Sequence, residues 1–237
     1  MIPIVVSARM NSQRLPGKPL RPMAGKPMLG WIVDRLKSID GSDGVIIATT
    51  VQPHDDSIAK WCDEQDLACY RGPLDDVAGR LIGAARACSA NAFVRISGDS
   101  PLMDPALVAH AIRLFELDEV DLVTNVQTRT FPNGFSVEVI RIAPLERTLA
   151  RHGSADDREH VTTALYRHPG DLRIVNFTSG MPVGDVQLSV DTEDDFRKVE
   201  WVLQQNDSIS RPLDWRTAVE IFSSYKQPFG EQPSSAA

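Results

Sequence analysis

The sequence predicts an α/β fold built around one mostly parallel sheet. Short runs rich in valine and isoleucine alternate with longer segments of helical periodicity, and such alternation is typical of βαβ units. The chain has 237 residues, of which 42% are hydrophobic, so a sizeable core can form without disulfides or metals. At roughly 150 residues per domain, this length indicates a single large domain or a domain with a small appendage.

The first 125 residues carry five expected strands and four expected helices in alternation. Runs of β-branched residues predict the strands, because such side chains pack well on a pleated sheet. Apolar residues spaced three and four apart predict the helices, and Asp75, Asp76 and Pro105 are residue types that favour a helix start. The strands are expected at residues 2–8, 45–50, 68–70, 93–97 and 122–125, and the helices at 28–39, 56–64, 75–88 and 105–117.

The regular alternation of strands and helices ends after Asn125, which indicates a subdomain boundary within one domain. Strands are expected at residues 135–141, 172–177 and 187–190, and helices at 144–151, 157–167, 193–204 and 215–225. The domain is expected over residues 1–225, in parts that span 1–125, 126–185 and 186–225. The tail at 226–237 contains proline and serine and is predicted to be disordered.

Composition and charge argue against several classes of protein. The net charge is −7, whereas a duplex-binding domain is usually basic, so no nucleic-acid partner is expected. No apolar run approaches the roughly 20 residues that span a bilayer, and the start lacks the basic region of a secretory signal, so no membrane partner is expected. Cys62, Cys69 and Cys88 lack CxxC spacing, which predicts reduced thiols in a cytoplasmic protein.

The first 33 residues contain five basic residues and no acidic one, so they form either an anion site or a solvated charged edge. The segment ARMNSQRLPGK follows the first expected strand, where open α/β sheets bind ligands. Arg9 and Arg14 offer guanidinium forks, Ser12 a hydroxyl and Lys18 an ammonium, a combination that suits phosphate oxygens. The loop lacks the GxxxxGK[ST] and GxGxxG patterns, and a basic surface turn is the alternative.

Two acids follow expected strands elsewhere in the chain. Asp99 comes after FVRIS and Asp191 after LSV, and carboxylate oxygens are ligands that suit Mg²⁺ beside a triphosphate. Structural roles compete with this interpretation, because Asp99 can form a turn and Asp104 can cap the following helix. Thr192 and Asp195 likewise have the spacing of a helix cap, which explains part of the acidity after the second strand.

A fourth group of polar residues lies in the second half of the chain. Glu159 and His160 could bind hydroxyl groups or a carboxylate, with Asn133 and Glu138 upstream. A lone histidine such as His160 is more often structural than a base. The absence of HExxH and GxSxG patterns excludes the common zinc protease and serine hydrolase sites.

Six segments together resemble the cytidylyltransferase family that activates acidic sugars as CMP-sugars. They are, in order, ARMNSQRLPGKPL, YRGPLDDVAGR, SGDSPLMDP, FPNGFSVEV, REHVT and VDTEDDF. The branch most similar in these segments is the SpsF group of spore coat polysaccharide biosynthesis. The acylneuraminate and ketodeoxyoctonate cytidylyltransferases are similar more distantly. The likeness extends from Ile4 to the neighbourhood of Val202.

The resemblance implies a single Rossmann-like nucleotide-diphospho-sugar transferase domain that binds CTP, an acidic sugar and Mg²⁺ and forms a homodimer. Residues 1–125 would bind the nucleotide, 126–185 would form a small dimerisation and sugar-binding arm, and 186–225 would close the domain. The implied nucleotide contacts are Ala8, Arg9, Ser12, Arg14, Lys18, Arg71, Asp76 and Arg80. The implied sugar contacts are Asn133, Glu138, Glu159 and His160, and the implied Mg²⁺ ligands are Asp99 and Asp191. Arg14, Lys18, Asp99 and Asp191 would be catalytic.

The reaction implied by the resemblance is nucleotidyl transfer, in which a sugar hydroxyl attacks the α-phosphorus of CTP and pyrophosphate leaves. One departure bears on the acceptor, because relatives commonly read GLDVEV where this chain reads GFSVEV, with Ser136 in place of the acid. Two alternatives stay open: a guanylyl- or uridylyltransferase that acts on a sugar phosphate, and a non-catalytic nucleotide-binding protein of the same fold. The presence of Lys18, Asp99 and Asp191 argues against the second.

Overall fold

Seven strands form one sheet in the computed structural model, which describes residues 1–117, 119–170, 172–206 and 213–225. The strands of these ranges are β1 (Ile4–Ser7), β2 (Pro22–Met23), β3 (Lys26–Pro27), β4 (Val45–Thr50), β5 (Ala68–Gly72), β6 (Ala92–Ser97), β7 (Leu122–Thr124), β8 (Glu138–Arg141) and β9 (Ile174–Asn176). The helices are α1 (Met28–Leu36), α2 (Asp56–Glu64), α3 (Val77–Ala87), α4 (Pro105–Leu117), α5 (Ile142–His152), α6 (Ala155–His160), α7 (Thr163–Arg167), α8 (Glu193–Gln205) and α9 (Trp215–Ser223). The tail predicted to be disordered, 226–237, lies outside the described residues.

The sheet has the strand order β5-β4-β1-β6-β8-β7-β9, which places β1 and β6 side by side near its centre. Parallel pairing joins β1 to β4 and β6, β4 to β5, and β7 to β9. Strand β8 instead runs antiparallel to both of its neighbours, β6 and β7. The sheet is therefore mostly parallel, and the predicted α/β class is confirmed. The described helices include none long and apolar enough to cross a bilayer.

The core lies on both faces of the sheet, in agreement with the apolar residues 4–6 of the first strand. Ile4 and Val6 join the cluster beneath α1, α4 and α8, while Val5 joins the cluster beneath α3 and α5. Successive side chains of a strand point to opposite faces, so a strand covered by helices on both sides must be apolar throughout. All three side chains are fully buried.

The second half of the chain differs from the predicted elements in three places. The single helix expected at 157–167 is two helices, α6 and α7, because the backbone of Val161 leaves the helical region. The strand expected at 187–190 is wrong, since this segment makes only an isolated bridge between Gln187 and Asn133. The strand expected from residue 135 begins at Glu138. Residues 126–185 contribute β8 and β9 to the central sheet, and their role in dimerisation stays a prediction.

The structural interpretations of two acids are confirmed. Asp104 accepts a hydrogen bond from the backbone N–H of Ala106 (2.8 Å) at the start of α4, and a second from that of Trp215 (3.2 Å), which ties α9 to α4. Thr192 and Asp195 form a reciprocal capping box at the start of α8. Neither carboxylate is therefore available as a ligand-binding group.

Candidate functional site

Two adjoining cavities open at the carboxyl ends of β1 and β6. The first has a volume of about 580 Å³ and the second about 490 Å³. Four residues line both cavities, namely Arg95, Ser97, Asp99 and His160. Ligands of open α/β sheets bind at this edge, so a ligand in one cavity would lie next to a ligand in the other.

The loop after β1 lies along the first cavity and is held by a buried acid. The backbone N–H of Met10 donates to Asp55 Oδ1 (2.7 Å), and Thr50 Oγ1 donates to the other carboxylate oxygen. Gly17 closes the loop on itself, with its N–H 2.8 Å from the carbonyl oxygen of Met10. Asp55 is fully buried, and sequence reasoning missed it because an acid at a helix start is commonly a solvated cap.

Six of the eight residues predicted to contact the nucleotide line the first cavity. Its lining includes Ala8, Arg9, Ser12, Arg14, Lys18 and Arg80. The Lys18 side chain is only 12% exposed, with Nζ 2.6 Å from the carbonyl oxygen of Val190 and 3.4 Å from Asp191 Oδ1. Arg14 Nη2 lies 3.2 Å from the other carboxylate oxygen of Asp191, and its side chain is 65% exposed. The interpretation of Lys18 as a surface-loop charge is therefore wrong.

Asp191 reaches this cavity although no strand precedes it. Gly134 has a φ of +96°, and a Cβ there would come within 2.5 Å of the Leu188 carbonyl oxygen, so only glycine allows the two segments to approach. Asn133 then exchanges backbone bonds with Val186 (2.9 Å) and Leu188 (3.0 Å). The arrangement leads the chain to Asp191 through backbone contacts rather than through a strand of the sheet.

Asp99 is placed next to Asp191 by two further backbone bonds. The N–H of Val190 donates to the carbonyl oxygen of Asp99 at 2.8 Å. The N–H of Gly98 donates to Ser7 at 2.8 Å, and a Cβ at Gly98 would lie 2.4 Å from that carbonyl oxygen. Both acids line the first cavity, and Asp99 also lines the second.

Asp99 and Asp191 could share a metal ion with a bound phosphate ligand, but they are too few to hold one by themselves. Within the described ranges, no group of three or more His, Cys, Asp or Glu side chains is arranged to hold a metal ion. Mg²⁺ commonly takes one or two protein carboxylates and completes its shell with substrate phosphates and water. Asp99 and Asp191 therefore fit a cation that binds together with a phosphate ligand, but they do not form an all-protein metal centre.

Two of the residues implied for the cytidine lie outside both cavities. Arg71 donates to the carbonyl oxygens of Thr50 (2.9 Å) and Gln52 (3.1 Å) and pairs with Asp56. Asp76 caps α3 through the N–H of Gly79. The direct contact with cytidine that the resemblance implies for Arg71 and Asp76 stays a prediction.

Arg80 belongs to the lining of the first cavity, although its side chain is almost completely buried. Its Nη1 donates to the carbonyl oxygens of Pro73 and Leu74, while its buried Nε has no partner in the described part of the chain. Burial lowers the pKa of Arg80 below its usual value, and the nearby Arg9 lowers it further. A buried donor without a partner costs stability, and this N–H is itself closed off from solvent.

The second cavity has a charged hydrogen-bond network in its wall. Arg95 and Glu138 face each other across the antiparallel strands β6 and β8, with Nη1 2.6 Å from Oε2. Tyr166 donates to the other oxygen of Glu138 and lies 2.8 Å from Thr124 Oγ1, and Arg95 also reaches Thr162 (3.3 Å). Burial and the adjacent carboxylate raise the pKa of Tyr166, so its hydroxyl stays protonated. Glu138, expected to face the sugar, is engaged mainly within the protein.

Replacing Glu138 with Gln is expected to destabilise the fold. The change leaves the Arg95 guanidinium without its counter-charge, and breaking a buried ion pair in this way costs about 3–5 kcal/mol. The Arg95 side chain is 26% exposed, so we expect a loss near 3 kcal/mol in the free energy of unfolding, measured by urea denaturation. Glu146→Gln is the matched control, because its partner Arg86 is 59% exposed and such surface pairs contribute about 0–1 kcal/mol. Equal losses in the two variants would contradict a stabilising role for the buried Arg95–Glu138 ion pair.

His160 is placed between the cavities by an unusual turn. Val161 has φ 62° and ψ −67°, and the N–H of Thr162 donates to the carbonyl oxygen of His160 at 2.7 Å, which makes a strained γ-turn. Such backbone costs on the order of 1–3 kcal/mol, and the full burial of Val161 holds it in place. Glu159 meanwhile lines the first cavity and pairs with Arg9 (3.2 Å).

The cavity-lining residues that sequence reasoning missed include Arg95, Arg129 and Tyr166. Arg95 carried a usable signal, because it is the one charged residue in the apolar strand FVRIS. Arg129 and Tyr166 had none, since one lies in a loop of mixed composition and the other follows an amphipathic pattern. Asn133, which was predicted, lines the second cavity.

The family model and the relatives found by comparison with known proteins agree with one another. A family model described as Cytidylyltransferase matches residues 3–212. The spore coat polysaccharide biosynthesis protein SpsF of Bacillus subtilis is 28% identical over 209 residues, which cover 85% of each chain. A cytidylyltransferase structure from Leptospira borgpetersenii matches with a TM-score of 0.87 at 24% identity, covering 94% of this chain and 93% of that one. The structure of CMP:2-keto-3-deoxy-manno-octonic acid synthetase complexed with CTP matches at 0.67 and 18% identity, covering 86% and 98%. The likeness of the structures confirms the Rossmann-like fold.

Proposed function

The chain belongs to the cytidylyltransferase family, and we propose that it transfers CMP from CTP to a hydroxyl group of an acidic sugar. The observation that carries this proposal is the pair of adjoining cavities with Asp99 between them. One is lined by the cations that suit a triphosphate, and the other offers polar side chains to an acceptor. The product would serve the synthesis of a surface polysaccharide or glycan.

In the proposed reaction, an acceptor hydroxyl in the second cavity attacks the α-phosphorus of CTP. The bond from that phosphorus to the bridging oxygen breaks, pyrophosphate leaves with the bonding electron pair, and the hydroxyl proton is released to water. Arg14 and Lys18 would hold the departing phosphates, where their positive charges offset the negative charge that grows in the transition state. Holding both substrates in adjoining cavities lowers the activation barrier further, because the two reacting groups no longer have to meet by diffusion.

The cytidine is proposed to lie against Ala8 and Arg80. Both residues line the first cavity. Asp99 and Asp191 would hold Mg²⁺ together with the phosphates. When bound, this ion supplies positive charge at the phosphate that is transferred. Arg9 and Ser12 would contact the triphosphate from the loop.

A panel of the four nucleoside triphosphates tests this function. We expect pyrophosphate release in the presence of an acidic sugar with CTP and not with GTP, UTP or ATP, and we expect it to require Mg²⁺. Binding alone is checked by thermal shift, since a ligand at 100 times its Kd stabilises by about 2.7 kcal/mol. Equal stabilisation by CTP and GTP would favour a transferase for another base. Binding of CTP without turnover of any acceptor would favour the non-catalytic alternative.

A further inference from the structure

The charged side chains of the second cavity are not all neutralised. Four of them line it, namely Arg95, Asp99, Arg129 and Glu138, and the imidazole of His160 lines it as well. Arg95 and Glu138 neutralise each other, and His160 lies 3.4 Å from Asp156 of its own helix. Arg129 has no carboxylate within ion-pair distance among the residues that the structure describes.

The guanidinium of Arg129 makes one side-chain contact in the described structure. Its Nη1 donates to Ser136 Oγ at 3.0 Å, and Ser136 lines the same cavity. Arginine carries five N–H donors, so most of them are left for another acceptor. A serine hydroxyl bears no charge, and a half-buried cation without a counter-charge favours the arrival of an anion.

The backbone on both sides of Arg129 is anchored. The N–H of Thr128 donates to Asn176 Oδ1 (3.0 Å), and the hydroxyl of Thr130 accepts from the N–H of Ser179 (2.8 Å). The carbonyl oxygen of Thr130 also accepts from Val183 (3.2 Å). These bonds fix the position from which Arg129 extends, so less order has to be gained when a ligand binds.

We propose that Arg129 binds the anionic group of the acceptor sugar and that Ser136 keeps this arginine available. This inference rests on the proposed function, because it assigns a specificity-determining residue to the acceptor cavity. A planar guanidinium matches a carboxylate with two parallel hydrogen bonds, which a neutral sugar cannot accept. An aspartate at position 136 would be long enough to pair with the same guanidinium and would neutralise it.

The test compares Arg129→Met, Ser136→Asp and Ser136→Asn with the wild-type enzyme. The acceptors are 3-deoxy-manno-octulosonate and N-acetylneuraminate, the methyl ester of each, and neutral mannose. We expect the wild type to prefer an acid over its ester, and Arg129→Met to raise the KM for the acid about 10- to 100-fold, as for the loss of a charge-assisted bond. The KM for CTP should stay within about twofold, because Arg129 does not line the first cavity.

The position 136 variants give the sharper comparison. Ser136→Asp should lose the preference for the acid as Arg129→Met does, whereas the isosteric but neutral Ser136→Asn should retain most of it. Arg173→Met is the matched control, because it removes an exposed arginine that lies near Glu119 and lines neither cavity. Identical behaviour of Arg129→Met and Arg173→Met would overturn the inference.

Failure of the inference is distinguishable from failure of the proposed function. CTP-dependent turnover of mannose or of the esters, with no preference for the acids, would overturn the role of Arg129 and leave cytidylyl transfer in place. If no acceptor releases pyrophosphate, the proposed function fails, and calorimetric titration of both acids in the presence of CTP still decides the inference. Equal binding to wild type and Arg129→Met, or no binding to the wild type, then overturns it.

Discussion

Replacing Asp99 with Asn is expected to lower kcat by about 10²–10³ while the fold stays intact. The carboxylate lies where the two cavities meet and is proposed to hold Mg²⁺ at the reacting phosphate. Metal charge at that place contributes several kcal/mol to the transition state, and each 1.36 kcal/mol is tenfold in rate. The measurement is kcat against Mg²⁺ concentration, with thermal unfolding as the check on the fold. Asn changes the side-chain volume little, so the loss reports charge and ligation.

Asp191→Asn separates ligation from the other contacts of that acid. Asp191 pairs with Lys18 and Arg14, so its neutralisation removes a metal ligand but also frees two cations for the phosphates. We therefore expect kcat to fall as for Asp99→Asn, while the KM for CTP stays equal or decreases. Asp194→Asn is the matched control, since Asp194 pairs with Lys198 on the surface of α8 and should leave turnover unchanged. Near-normal kcat of the Asp99 and Asp191 variants at moderate Mg²⁺ would rule out the metal assignment.

Lys18→Ala is expected to lower kcat by about 10²–10³ and to raise the KM for CTP by less. The reason is that the ammonium offsets charge that is larger on the leaving pyrophosphate in the transition state than on bound CTP. Its side chain is nearly buried and held by Val190 and Asp191, so added salt should reduce the effect only slightly. Steady-state kinetics at two salt concentrations measure both quantities.

Two companion variants complete the Lys18 test. Lys18→Arg should recover only part of the activity, because a planar fork does not fit the place of a compact ammonium. Lys37→Ala removes a lysine that is 59% exposed and paired with Asp34, and it should change neither kcat nor KM. A raised KM with unchanged kcat in Lys18→Ala would show a residue that binds both states equally and does not contribute to catalysis.

Local sequence patterns predicted the first half of the fold well, with α2 and α4 at their predicted bounds. They failed where long-range contacts override them. The segment 157–167 contains no glycine or proline that would end a helix, yet the γ-turn at Val161 interrupts it, because burial of that side chain holds a strained backbone. No pattern of three or four residues contains that information.

In the candidate site, too, some residues follow from local sequence and others depend on long-range contacts. The loop containing Arg14 and Lys18 and the acid Asp99 were identified from residue types and from their place after expected strands, which is local information. Asp191 was identified for a wrong reason, since no strand carries it to the cavity. Asp191 lies in the cavity because Gly134 lacks a Cβ that would clash with the Leu188 backbone. The N–H of Val190 also donates a hydrogen bond to the carbonyl oxygen of Asp99.

The sequence by itself determined the α/β class, the loop after β1 and the acid after β6, because apolar periodicity and residue chemistry are properties of neighbouring residues. Only the tertiary structure decided which charges are neutralised. Arg95 meets Glu138 from 43 positions away because β8 enters the sheet antiparallel beside β6, whereas among the described residues the guanidinium of Arg129 meets only the hydroxyl of Ser136. The strength of a charge depends on what lies within a few ångströms of it, and distant parts of the chain supply those neighbours.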